Sequence, residues 1–254
     1  TRGSRQCSGA AARRTACAST QIGRGESIED TVKVLSRFLD GLIIRTHGHE
    51  IIEEFASFGT VPVVNALTDF LHPCQIFADC MTILETTGSP HDPYSLTGKK
   101  LTFFGDTQCN MANSWIMAGA LFGLNICLAG PAEFAPTGQI LSFLEKHNLP
   151  QNFEHQIDPV LAAKDADVLY TDVWVSMGCE EEAEERKRVM SPYQVKDAIL
   201  QAAKPNSLFM HCMPTHPGEE VSESVLASPQ AILFDQAENR LHMQKAILRQ
   251  LTQS

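Results

Sequence analysis

The stretch SLFMHCMPTHPGEE, residues 207–220, sets an apolar run against His211 and Cys212 and follows them with two prolines and two acids. Imidazole and thiolate are both metal ligands, and a thiolate is also a nucleophile, so three chemistries suit the pattern: a metal site, a thiol nucleophile, or a turn that presents its backbone to a substrate. A zinc site needs three or four ligands at recognisable spacing, and the sequence shows no such set. Successive strand residues face opposite sides of a sheet, which turns His211 away from Cys212 and disfavours a Cys–His dyad. The backbone-presenting turn is the reading that remains. Elsewhere, GDTQCN at 105–110 has one glycine where a dinucleotide fingerprint needs three, which argues against a Rossmann cofactor site.

These residues need elements to carry them. From residue 21 onward short apolar runs alternate with helical patterns, the arrangement of an α/β protein with parallel sheets covered on both faces. Ser27 with Asp30 gives a capping-box signal, ahead of a helix-spaced face at Val34, Leu35, Phe38 and Leu39. Strands are predicted at 41–46, 61–67, 100–106, 125–130, 167–174, 207–213 and 231–236, and helices at 49–58, 72–85, 111–123, 138–148, 191–203 and 238–251. Gly, Pro, Ser and Asp collect at 87–100 and mark a domain junction. The organisation expected is two doubly wound parallel-sheet domains, the first incomplete, joined by interdomain helices. Residues 1–88 form the first (with 1–20 atypical), 89–237 the second, and 238–254 a C-terminal helix that packs back on the first.

In open parallel sheets ligands bind beyond the carboxyl ends of the strands. Arg45, His72, Gly105, Asp106, Asn110, Asp172, Ser176, His211, Cys212 and the segment Asp235 to Arg240 all fall just after predicted strands. Complementary polar groups on one edge suit a site assembled from several loops.

Composition narrows the partners. The chain has 254 residues, 43% of them hydrophobic and 20% charged, with a formal net charge of -10. Such an acidic balance opposes general binding to nucleic acid or an anionic membrane face. No apolar run approaches the roughly 18 residues a membrane span needs, and no signal-peptide core is evident, so a cytoplasmic protein is expected. The eight cysteines are scattered without Cys-x-x-Cys pairs and are expected to be reduced.

Taken together, RGESIEDTVKVLSRFLDGLIIR, HPCQ, DVWVSMG, HCMP and FDQAENR closely resemble the ornithine carbamoyltransferases, in that family's order, over about residues 21–254. The resemblance implies transfer of the carbamoyl group from carbamoyl phosphate to the side-chain amine of L-ornithine, giving L-citrulline and phosphate in arginine metabolism, without metal or organic cofactor. The catalytic set it implies is Arg45, His72, Asp172 and Cys212. Gln21, Arg45, His72, Pro73, Cys74, Gln75, Cys212, Met213 and Arg240 would bind carbamoyl phosphate, with Arg45 and His72 as donors to the carbonyl oxygen and Gln75 holding the carbamoyl NH2. Asn110, Asp172, Ser176 and Met177 would bind ornithine, Asp172 pairing with the α-ammonium and orienting Cys212. The family implies a homotrimer. Alternatives are an ornithine-binding remnant with impaired catalysis and a putrescine carbamoyltransferase.

Residues 1–20, TRGSRQCSGAAARRTACAST, depart from that resemblance. The family has Ser-Thr-Arg-Thr-Arg at a phosphate-cradling helix N-terminus, of which only the final Thr-Arg could be present here as Thr1 and Arg2. The stretch reads as that of an amino-terminally truncated or frameshifted member.

Overall fold

The structure, a computed structural model, describes residues 26–175 and 180–252. Two parallel sheets organise it. The first pairs β1 (Leu42–Arg45) with β2 (Val63–Leu67), and α1 (Ile28–Leu35) packs with α2 (His49–Phe58) beside them. Ser27 caps α1, its hydroxyl accepting the Asp30 N–H at 3.0 Å, as the capping box predicts.

The second sheet has the strand order β5-β4-β3-β6-β7, all parallel: β3 is Lys100–Phe104, β4 Asn125–Ala129, β5 Phe153–Gln156, β6 Val168–Thr171 and β7 Leu208–His211. Starting at β3, the chain winds outward to β4 and β5, then crosses back to β6 and β7, so the order reverses between β3 and β6. Loops leaving neighbouring strands diverge there and open a crevice at their carboxyl ends. The inner strands are continuous apolar runs because helices cover both faces: α4 (Asn110–Phe122) and α5 (Gly138–Lys146) pack into one core with Phe103, Trp115 and Tyr170, while α6 (Pro159–Ala163) and α8 (Asp197–Ala202) share another with Phe104 and Phe209.

Three predicted elements differ. The helical face expected at Val34, Leu35, Phe38 and Leu39 does not form, because α1 ends at Leu35 and buries Thr31 and Val32 instead, leaving Val34, Phe38 and Leu39 exposed. The strand expected at 231–236 is a single bridge, Ala231 to Phe209, after which helix α10 runs from Leu233 to Thr252. Its buried positions Leu233, Gln236 and Asn239 recur every three residues, which is a helical period. The helix expected at 191–203 shrinks to a 3-10 turn at Ser191–Tyr193 and α8, because Val195 pairs with Val221 and Pro192 cannot donate a helical bond. Strand β5, helix α6, helix α7 (Ala183–Met190) and helix α9 (Glu223–Leu226) were not anticipated.

The two sheets are tied through α3 (Pro73–Thr86) and α10, which pack on each other. Asn239 on α10 donates to Thr82 Oγ1 at 3.0 Å and to Glu85 Oε2 at 2.7 Å, both on α3. Among the described residues, no helix is long and apolar enough to cross a membrane.

Candidate active site

Arg45 closes β1, where the register with β2 shifts between Ile44 and Arg45. Such irregularities re-aim the following side chain. The end of β2 leads through Thr68 to His72, the residue that precedes α3. This loop is clamped to the second domain. The His72 N–H donates to Ser114 Oγ at 2.8 Å, Ser114 Oγ donates to the Asn110 carbonyl at 2.6 Å, and Asn110 Nδ2 donates to the Thr68 carbonyl at 2.8 Å.

Burial pushes the His72 imidazole down to about 4, helped by the positive fields of Arg240 and Arg45. The charges of Arg45 on β1 and Arg240 on α10 therefore both act on one neutral ring. That ring can donate a hydrogen bond while the guanidiniums supply positive charge, the combination that stabilises a growing oxyanion. In the NMR spectrum the His72 ring should titrate with a midpoint near 4; a midpoint near the ordinary 6.5 would mean that the ring is neither buried nor held near the arginines. The unfolded chain takes up this proton near 6.5 and the folded chain near 4, so stability falls on acidification through that interval.

On the other side lies the β3/β6 switch. Gly105 follows β3 at φ 112, and a Cβ there would stand 3.1 Å from the Trp174 ring, so glycine lets β3 turn directly into Asp106. Arg186 on α7 holds Asp106 through a part-buried ion pair of 2.8 Å, and α4 then begins with Asn110. Asp172 follows β6; its Oδ1 accepts the Val173 N–H at 2.8 Å and the Cys212 thiol at 3.0 Å. Burial and the Asp172 carboxylate push the Cys212 thiol well up, so it stays protonated and donates. A thiolate nucleophile is thus disfavoured.

The terminal ligand atoms of Asp172, His211 and Cys212 lie within 4.8 Å of one another. Strand alternation suggested that His211 would be remote from Cys212, yet the turn after β7 brings them together. His211 Nδ1 is engaged, however, accepting the Met213 N–H at 2.8 Å. The Met213 N–H is therefore committed to His211 rather than to a ligand.

Gln75, in the first turn of α3, donates from Nε2 to Asp79 Oδ1 at 2.8 Å and leaves Oε1 buried with no partner among the described residues. Pro73 opens the same helix, and the Cys74 thiol donates to the Asn65 carbonyl at 3.3 Å. Asp79, Tyr170 and Gln236 join Gln75 in a buried network that the sequence reading missed. Four-residue spacing flags the Gln75–Asp79 pair, but its members' other partners are remote in sequence. Gln21, Ser176 and Met177 lie outside the described residues, as do residues 1–20.

Two family models match the chain: "Aspartate/ornithine carbamoyltransferase, carbamoyl-P binding domain" over residues 2–85 and "Aspartate/ornithine carbamoyltransferase, Asp/Orn binding domain" over residues 97–251. The chain belongs to the aspartate/ornithine carbamoyltransferase family. Within that family it is 46% identical over 230 residues to the ornithine carbamoyltransferase of Thermococcus kodakarensis, a match spanning 90% of this chain and 71% of the relative. The anabolic ornithine carbamoyltransferase of Pyrococcus furiosus matches with the same identity and the same shares. A solved Pyrococcus furiosus ornithine carbamoyltransferase superposes with TM-score 0.80 at 44% identity, over 91% of this chain and 72% of that one. The anabolic Campylobacter jejuni enzyme gives TM-score 0.81 at 32% identity, over 92% and 76%. These carbamoyltransferase structures carry the same two-domain α/β fold, as expected from the sequence.

Proposed function

We propose that this carbamoyltransferase transfers the carbamoyl group of carbamoyl phosphate to the side-chain amine of L-ornithine, releasing L-citrulline and phosphate. The observation that carries the reading is the hydrogen-bonded clamp that sets His72 beside Asn110 at the strand ends, with Arg45 and Arg240 near enough for their charges to act on the ring. In acyl transfer the amine attacks the carbonyl carbon, negative charge grows on the carbonyl oxygen, and donors fixed in advance lower the barrier. Arg45 and His72 supply those donors, Arg240 faces the phosphate, and Gln75 accepts from the carbamoyl NH2. Holding both substrates in one cleft supplies a further entropic advantage.

Asp172 pairs with the α-ammonium of ornithine while accepting the Cys212 thiol, and Asn110, Ser176 and Met177 hold the α-carbon end. The division into residues 1–88, 89–237 and 238–254, the homotrimer and the cytoplasmic location belong to the same proposal; the packing of α10 on α3 supports the return of the C-terminal helix to the first domain.

Acceptor specificity tests the reading. Offered ornithine, putrescine and N-acetylornithine with carbamoyl phosphate, the chain should use ornithine by at least about 10²-fold in kcat/KM, because the analogues remove or block groups that the site pairs. Preference for putrescine would make it a putrescine carbamoyltransferase instead.

A further inference from the structure

One carboxylate sits at the centre of the contact between the two domains and takes no part in the chemistry above. Asp79 is fully buried on α3, and among the described residues its carboxylate accepts every hydrogen bond it makes. Oδ1 takes the Nε2 groups of Gln75 and Gln236, both at 2.8 Å, and Oδ2 takes the Tyr170 hydroxyl at 2.8 Å.

An amide has one end that donates and one that accepts, so a neighbour that only accepts dictates which end faces it. Gln75 must turn its NH2 toward Asp79, which leaves its buried Oε1 as an acceptor without a partner among the described residues. Gln236 must do the same, and its Oε1 then accepts the His211 N–H at 2.9 Å. His211 Nδ1 in turn accepts the Met213 N–H at 2.8 Å and holds Met213 at φ 62, a left-handed conformation that non-glycine residues rarely adopt. A single buried acceptor thereby sets the polarity of both amides and, through Gln236, of the turn after β7.

We propose that Asp79 is a positioning residue that fixes the amide of Gln75 with its carbonyl oxygen turned away from the carboxylate and so selects an acyl donor carrying an N–H group beside its reacting carbonyl. The inference rests on the carbamoyl-transfer reading and adds the origin of donor specificity. Carbamoyl phosphate meets the requirement, whereas acetyl phosphate has the same shape with a methyl group in place of the NH2. With Asp79 removed, the Gln75 amide can invert, and its NH2 would then oppose the NH2 of the donor.

The test compares the dissociation constants of carbamoyl phosphate and acetyl phosphate by calorimetry. Asp79→Ala should lower the preference for carbamoyl phosphate by about 10- to 100-fold, the cost of replacing a hydrogen bond by two opposed donors. Asp79→Asn should keep the preference to within about threefold, because its Oδ1 can still accept from both amides while its NH2 turns to the Tyr170 oxygen. A general loss of structure would weaken both probes together and would not be rescued by asparagine, and that pattern overturns the proposal. If the alanine variant does not fold, NMR of the wild-type chain decides: the Gln75 carboxamide protons should be protected from solvent exchange without any donor bound, and rapid exchange overturns the inward orientation. Failure of the wild-type chain to bind either probe overturns the carbamoyl-transfer reading as well, whereas binding of both with an unchanged ratio in Asp79→Ala overturns only the role of Asp79.

Discussion

Arg45→Gln should reduce kcat for citrulline formation by about 10²- to 10³-fold, the usual loss when one preorganised oxyanion donor is removed. The side chain keeps much of its length and some hydrogen-bonding capacity but loses its charge, and charge is what the developing oxyanion requires. Arg45 also depresses the His72 imidazole, so the same substitution should raise the His72 midpoint above its present value of about 4. Ornithine binding should change by less than about threefold, because Asp172 and Cys212 lie on the second domain. A kcat within threefold of wild type would remove Arg45 from the catalytic set.

Asp172→Asn should raise the dissociation constant of ornithine by about 10²-fold, in line with the 2–5 kcal/mol lost when one partner of a hydrogen-bonded charge pair is removed. The asparagine can still accept the Cys212 thiol, which the carboxylate now does at 3.0 Å. The loss would therefore report the missing charge rather than a collapsed turn. Putrescine has no α-ammonium, so its much weaker use should be little affected, and the preference for ornithine over putrescine should narrow. Calorimetry with ornithine, and kcat/KM for both acceptors, checks this. An equal loss with both acceptors would mean that Asp172 acts on the shared amine or on the fold.

Much of the fold was legible because parallel strands buried on both faces are apolar along most of their length. KLTFF, VLYT and LFMH announce themselves as β3, β6 and β7. FEHQ does not: β5 lies at the sheet edge, only partly covered, so its polar residues carry no strand signal. The apolar run AILF misled because Ala231 does pair with Phe209, yet Leu233 already belongs to a helix whose buried face continues through Gln236 and Asn239. Polar residues buried on that face erase the hydrophobic period that would have marked the helix start.

The site was partly legible for a related reason. Residues just past strand ends could be named from the switch-point rule, and the structure brings Asp172 to Cys212 and His72 to Asn110 by way of Ser114. The Asp79 network could not be read so. Tyr170 is 91 residues from Asp79 and Gln236 is 157 away, and a buried amide or carboxylate looks like a surface residue until its partners are known. His211 was misplaced because alternation describes a strand, while Met213 at φ 62 shows that the chain has already turned.

The central claim is that these loops form one cleft in which carbamoyl transfer takes place. Its most direct test is to incubate the purified 254-residue chain with carbamoyl phosphate and L-ornithine and measure citrulline and phosphate. Equal amounts of the two products, appearing at a rate proportional to protein and lost in Arg45→Gln, are expected. Ornithine binding without citrulline would contradict the account and leave the chain a binding protein.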